Sequence, residues 1–192
     1  MREELDKLLC EQYPYMFRER NMPMTHTCMC WGFSHGDGWF NIIKSLCSGI
    51  QHHVNWKREQ RARALLFNRK LKRAIAANDV NILIDPEYAN KDWHVNECNQ
   101  KLASQEFREV PEYVQRVVVE QVKEKFGTLR FYYRGGDDVV DGMVRMAEAM
   151  SAVTCEECGS PGSTGGYGWI SSLCTQHREE VDARRKARFG ED

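Results

Sequence analysis

Two ligand pairs near the C-terminus, Cys155-Glu-Glu-Cys158 and Cys174-Thr-Gln-His177, decide how this part of the chain folds. Two residues between ligands let both side chains of a tight turn reach one ion, and the glycine at position 159 permits the turn. The fifteen residues between the pairs, 159–173, begin rich in glycine and end in a short β-favouring run, which predicts a small hairpin. A polar stretch at 178–189 predicts that the second pair opens a helix.

This order of turn, hairpin and helix resembles a treble-clef zinc finger. Three thiolates and one imidazole form a closed tetrahedral set, which indicates a structural rather than a catalytic Zn²⁺ ion. The alternative is that the cysteines are a buried pair and an unrelated pair. If zinc is bound, we expect Cys158→Ser to unfold the segment and to expose Trp169, because about forty glycine-rich residues bury little without a metal.

The other cysteines are weaker candidates for metal binding. A second cluster, His26, Cys28, Cys30 and His35, lies within ten residues, and the spacing of its two cysteines suits a strand. Either a metal or burial in an aromatic core explains this cluster, and burial is the favoured interpretation. Cys10, Cys47 and Cys98 have no ligand-like neighbours in the sequence, so they are expected to be small core residues.

The length indicates either one globular domain of ordinary size or one domain with a small satellite. The chain has 192 residues, with 27 Lys plus Arg balanced by 28 Asp plus Glu. No apolar run approaches the ~20 residues that span a bilayer, and residues 1–6 lack the basic and then apolar order of a signal peptide. We therefore expect a soluble cytoplasmic protein, located in the host cytoplasm if it is viral.

Hydrophobic periodicity predicts an α+β fold, with helices around a small antiparallel sheet or hairpin. The predicted elements are helices at 3–13, 39–53, 56–78 and 138–152, a short strand at 81–84, and a hairpin that closes at Gly127. A helix at 112–119 is the alternative to the start of the first hairpin strand. Asp37 is the expected N-cap of the second helix. The α+β domain is expected at 1–152, with 52–112 as a candidate insertion, and the zinc module at 153–192.

Several of these segments resemble small proteins of unassigned function that phages and prophages encode. The resemblance rests on residues 119–132 (VEQVKEKFGTLRFY), on 30–33 (CWGF) and 36–40 (GDGWF), and on 151–162 together with the pair at 174–177. It does not extend to residues 52–112. It implies a viral accessory protein that acts on host defence or regulation, and it assigns no catalytic residue.

The leading functional hypothesis is a non-enzymatic binding protein that counters host defence by binding a host protein or by sequestering a nucleotide signal. The candidate nucleotide-binding residues are Arg58, Arg61 and Arg69 on the basic helix, and Arg130 and Tyr132 on the hairpin. The alternative is a nucleic-acid-binding protein or metal-dependent nuclease that uses the zinc module and the basic helix. A nuclease site would have to be assembled from His35, Asp37, His52 and His53, although adjacent histidines on a helix diverge by about 100°.

Overall fold

The computed structural model describes residues 1–166 and 168–190, and of residue 189 only the main chain. It is a mixed α+β structure that divides into two compact units. The first unit comprises Met1–Val54 and Gln115–Asp192, and the second comprises Asn55–Val114. None of the described helices is long and apolar enough to cross a membrane.

Helices and strands are interspersed along the described part of the chain. The helices are α1 (Glu3–Gln12), α2 (Phe40–Ala77), α3 (Asp92–Ser104), α4 (Asp138–Ser151) and α5 (Thr175–Phe189). The strands are β1 (Phe33–Ser34), β2 (Gln115–Lys125), β3 (Thr128–Gly136), β4 (Ser163–Gly165) and β5 (Ser171–Leu173).

Strands β2 and β3 form the predicted hairpin, which is confirmed with its turn at Phe126 and Gly127. Lys125 pairs with Thr128, and both turn residues have positive φ, 54° and 78°. The two-residue β1 extends the sheet in parallel beside β2. Alternating apolar side chains then fill one face of the hairpin, so that Leu129 and Phe131 are buried.

Helix α4 covers the outer edge of β3 and satisfies its main-chain donors. The Ser151 hydroxyl accepts a hydrogen bond from the Leu129 N–H (2.8 Å), and the Glu148 carboxylate accepts one from the Phe131 N–H (3.1 Å). Asp137 caps the helix by accepting from the Val140 N–H (3.2 Å), as its sequence position predicts. These contacts protect an edge that would otherwise be open to strand pairing.

The second unit has its own small core, in which the C-terminal half of α2 packs against α3 and the segment between them. Leu71, Ala74, Leu83 and Cys98 are buried together in this core. The predicted strand at 81–84 is wrong: Val80–Ile82 is a single 3₁₀ turn. The Asp79 carboxylate accepts from the Asn81 N–H (2.9 Å), and this local cap favours a turn over an extended strand.

Three further predictions near α2 are also wrong. The helices expected at 39–53 and 56–78 are one helix, because neither Pro nor Gly interrupts residues 53–57. Asp37 does not cap it but accepts a hydrogen bond from the Arg2 N–H (2.7 Å) and begins a 3₁₀ turn. Cys28 and Cys30 lie on a 3₁₀ turn rather than a strand, because the Thr27 hydroxyl accepts from the Met29 N–H (3.1 Å).

His35 gives the first unit a predictable sensitivity to acid. Its side chain is 7% exposed between Phe33 and Trp39, and its Nε2 atom has no hydrogen-bond partner among the described residues. Burial lowers the pKa of His35 to about 4. An unfolded chain therefore binds a proton as the pH falls below about 6.5, whereas the folded protein does not until about pH 4, so acid favours unfolding.

We expect the free energy of unfolding to fall by about 2 kcal/mol between pH 7.5 and pH 5 through this residue alone. His35→Phe keeps an aromatic ring in place and removes the titration, so its stability should fall less over the same range. Urea unfolding of both proteins at the two pH values measures the difference. Equal losses of stability in the two proteins would contradict the role of His35.

Candidate metal centre

The structure brings the four predicted ligands of the C-terminal segment together. The ligand atoms of Cys155, Cys158, Cys174 and His177 all lie within 4.8 Å of one another. The Cys155 and Cys174 sulfurs are 3.4 Å and 3.2 Å from His177 Nδ1, and the Cys158 and Cys174 sulfurs are 3.9 Å apart. This cluster can hold a metal ion.

Local structure places each ligand as the sequence predicts. The Gly159 N–H donates to the Cys155 carbonyl (2.9 Å) and closes the tight turn that carries the first pair, with φ of 77° at Gly159. Strands β4 and β5 form the predicted hairpin. Cys174 is then the N-cap residue of α5, so that His177 lies on the first turn of this helix.

The electrostatics of the cluster favour a bound cation. Hydrogen bonds with Ser160 lower the pKa of the Cys158 thiol to about 6, so this sulfur is a thiolate at neutral pH. Burial raises the pKa of Cys155, which is 0% exposed. Because a buried thiolate is costly without a compensating charge, a cation among the sulfurs would stabilise the deprotonated form.

The turn that carries Cys155 and Cys158 also anchors the segment before α2. The Gly38 N–H donates to the Glu156 carbonyl (2.7 Å), and the Gly36 N–H donates to the Glu156 carboxylate (3.0 Å). The Trp39 indole N–H donates to the Thr154 carbonyl (2.9 Å). Residues next to the metal ligands thus fix a long-range contact of the fold.

The hairpin turn of the main sheet is held by the same segment. The Ser172 hydroxyl is buried and donates to the Gly127 carbonyl (2.6 Å), while the Ser172 carbonyl accepts from the Glu156 N–H (2.8 Å). By contrast, Trp169 is 76% exposed. The expectation that unfolding would expose Trp169 is therefore wrong, because this side chain lies outside the core already.

The second cysteine cluster does not form a comparable group. His26 and Cys28 are exposed, Cys30 donates to the Thr27 carbonyl (3.1 Å), and His35 is buried. Among the residues that the structure describes, only the C-terminal cluster brings three or more metal-ligating side chains together.

Of the three remaining cysteines, Cys47 and Cys98 are buried as expected. Cys10 is only half-buried, and its thiol donates to the Asp6 carboxylate (3.3 Å). The expectation of a core position is therefore met by two of the three.

The residues considered for a nuclease site have separate structural roles. His53 Nε2 lies 2.8 Å from the carboxylate of Asp137, the cap of α4, whereas His52 is exposed. Asp37 forms an ion pair with Arg2, and His35 lies in the aromatic core. The geometry does not assemble these groups around a common point.

Arg130 and Tyr132 lie on the outer face of the β2–β3 hairpin, as their alternation predicts. Tyr132 is 41% exposed. Lys123 pairs directly with Arg130 across the strands, and its Nζ lies 5.6 Å from the Tyr132 ring centroid. Lys123 was not among the predicted binding residues, although counting back from a turn at Gly127 places it opposite Arg130.

The three arginines of the basic helix that were predicted to bind a nucleotide belong to the second unit. Arg58 donates to the Val114 carbonyl (3.2 Å) and stacks on Tyr113, and Arg61 donates to the Pro111 carbonyl (2.6 Å). Arg69 is exposed. Two of the three guanidinium groups therefore hold the segment that leads into β2.

Comparison of the chain with protein-family models, curated proteins and solved structures finds no match. Inferences about function therefore depend on the geometry of the metal cluster and of the hairpin face.

Proposed function

We propose that this chain is a non-enzymatic binding protein of the phage accessory type, in which one structural Zn²⁺ supports a hairpin face that sequesters a phosphate-bearing nucleotide. Sequestration of a nucleotide signal would be the means by which such a protein counters host defence. The single observation that carries the proposal is the Lys123–Arg130 pair beside Tyr132.

Zinc is the proposed metal because of the donor set and its spacing. Three sulfurs and one imidazole are soft ligands typical of zinc and unsuited to Mg²⁺ or Ca²⁺. A tetrahedral ion with bonds of about 2.3 Å to sulfur requires sulfur–sulfur edges of about 3.8 Å. The 3.9 Å separation of the Cys158 and Cys174 sulfurs agrees with this length. With four protein ligands the ion would have a structural role, in a module of treble-clef type.

The positive pair on the hairpin is unfavourable without a ligand. Like charges directly opposite on neighbouring strands destabilise a sheet. Lys123 and Arg130 form no salt bridge with any residue in the described part of the chain. A bound phosphate would accept hydrogen bonds from both groups and relieve their repulsion.

The neighbouring aromatic ring supplies the second half of a nucleotide site. Arg130 and Tyr132 are two residues apart on one strand face, which corresponds to about 7 Å. Arg130 is pre-oriented, because its Nη1 donates to the Thr128 hydroxyl (2.6 Å) and the Leu129 carbonyl (2.7 Å). A base stacked on Tyr132 would therefore place its 5′-phosphate near the positive pair.

We expect nucleoside monophosphates to bind the purified protein with an affinity that depends on both parts of this face. Tyr132→Ala should weaken binding roughly 10- to 100-fold, because stacking contributes about 1–3 kcal/mol per base. Lys123→Gln should also weaken binding, and it should reduce the dependence of affinity on salt. Isothermal titration calorimetry at low and moderate salt measures both effects.

Arg69→Gln is the matched control, since it removes an exposed positive charge from the second unit. Its affinity should equal that of the unchanged protein. If no nucleotide binds at low salt, or if Tyr132→Ala binds as well as the unchanged protein, the proposal fails. Tighter binding of single-stranded DNA or RNA than of any mononucleotide, or cleavage with added Mg²⁺ or Mn²⁺, would favour the alternative of a nucleic-acid-binding protein or nuclease.

A further inference from the structure

A groove adjoins the Tyr132 ring at the end of the hairpin face away from the positive pair. Its volume is about 720 Å³, and its walls include Glu19, Glu120, Gln121, Tyr132 and Arg134. Because Tyr132 belongs both to this groove and to the outer hairpin face, a base stacked on that ring would lie at the mouth of the groove.

The acidic and basic side chains that line the groove carry a net negative charge. Arg134 forms ion pairs with both Glu19 and Glu120, the second at 3.0 Å. The hydrogen bond from Arg134 lowers the pKa of Glu19, so this buried carboxylate is ionised. Two carboxylates against one guanidinium leave one net negative charge, which disfavours a phosphate in the groove and favours the donor edge of a base.

Glu120 is the carboxylate that a base can reach. Its side chain is 46% exposed, against 9% for Glu19. In the described structure only its Oε1 accepts a side-chain hydrogen bond, from Arg134, so acceptor capacity remains. The register of the hairpin shifts between Val119 and Gln121, which places Glu120 at the irregularity beside the residue that pairs with Tyr132.

We propose that this groove selects guanine, with Glu120 accepting from the base while Tyr132 stacks on it; this inference rests on the proposed nucleotide site. Guanine presents two adjacent donors, N1–H and the 2-amino group, to one carboxylate. Adenine presents one amino group beside a ring nitrogen that repels a carboxylate, and hypoxanthine lacks the 2-amino group. Gln121, which pairs with Tyr132, lies on the same wall.

The test is calorimetric titration of the full-length protein with GMP, IMP and AMP. We expect GMP to bind at least about tenfold more tightly than AMP, because hydrogen bonds to a charged group are among the stronger ones, with IMP between them. Glu120→Gln should abolish the preference for GMP, because the carboxamide accepts from guanine less well and no longer repels the adenine ring nitrogen, so GMP binds more weakly and AMP more tightly. Gln121→Ala is the control for a general disturbance of the groove and should retain the preference for GMP.

Different results would refute guanine selection and the nucleotide site on which it rests. If GMP and AMP bind with equal affinity and Tyr132→Ala abolishes the binding of both, guanine selection is overturned. The same result would support the nucleotide site itself. A preference for GMP that persists in Glu120→Gln would overturn the role of Glu120. Binding of no nucleotide would overturn the site itself. The comparison of three ligands on the unchanged protein needs no variant, so it remains decisive even if Glu120→Gln is unstable.

Discussion

Replacing Cys155 by serine is expected to abolish metal binding, to unfold the C-terminal segment and to break the contacts of this segment with Trp39. The loss of even an outer partner of a metal ligand costs 10- to 100-fold in affinity, so the loss of a ligand should cost more than about 100-fold. Thr154 precedes Cys155 directly and accepts from the Trp39 indole (2.9 Å). Loss of the metal therefore removes the support of a buried tryptophan.

Tryptophan fluorescence reports this change selectively. Trp39 is 0% exposed, whereas Trp31, Trp56, Trp93 and Trp169 are all more than half exposed. The short-wavelength part of the emission should therefore arise from Trp39. In Cys155→Ser this part should shift to longer wavelength, while metal analysis of the variant should find almost no zinc.

Cys28→Ser is the matched control, because Cys28 is an exposed thiol outside the metal cluster. It should keep its metal content, its emission spectrum and its resistance to protease. If Cys155→Ser also keeps all three, the cluster does not hold a structural metal. Treatment of the unchanged protein with a chelator should reproduce the spectrum of Cys155→Ser.

Short-range sequence patterns predicted several local elements of this fold correctly, although not the 3₁₀ turns at 28–31, 37–39 and 80–82. The leucines of α1, the Asp137 cap of α4 and the turn at Gly127 each specify a local geometry, and the structure confirms all three elements. The proximity of the two pairs of candidate metal ligands was predictable in part for the same reason, since each pair lies within four residues. The hairpin between the pairs brings the two halves of the cluster together.

Contacts between distant segments could not be predicted in this way. Nothing in residues 36–39 signals that their main-chain donors and the Trp39 indole meet Thr154 and Glu156. The prediction divided α2 where its apolar stripe gives way to a basic run, although the helix continues through residues 53–57. Lys123 could be assigned to the proposed nucleotide site only from its pairing with Arg130, and this pairing depends on the register of the hairpin.

A methyl group at Gly38 is expected to destabilise the protein strongly by separating the metal-binding turn from the segment before α2. A Cβ atom at this position would lie 2.1 Å from the Cys155 carbonyl oxygen and 2.4 Å from the Gly159 nitrogen. Both are main-chain atoms of the turn that carries Cys155 and Cys158, so relief of the clash would displace this turn. Overpacking of this kind typically costs about 1–3 kcal/mol, and the hydrogen bond from the Gly38 N–H (2.7 Å) would be lost as well.

We therefore expect Gly38→Ala to lower the free energy of unfolding by about 2–4 kcal/mol, which corresponds to a melting temperature roughly 4–16 °C lower in a chain of this size. The variant should also release its metal faster to a chelator, since the displaced atoms belong to the ligand turn. Differential scanning calorimetry and the rate of metal transfer to a coloured chelator measure the two effects.

Gly142→Ala makes the same chemical change where the structure has room. A Cβ atom at Gly142 meets nothing within 4 Å, and the residue lies inside α4. Alanine should stabilise the helix there by about 0.5–1 kcal/mol and leave the rate of metal release unchanged. If Gly38→Ala lowers the free energy of unfolding and Gly142→Ala raises it, the loss of stability in Gly38→Ala comes from the contact of Gly38 with the turn that carries Cys155 and Cys158. A Gly38→Ala protein as stable as the unchanged one would show that this contact does not support the fold.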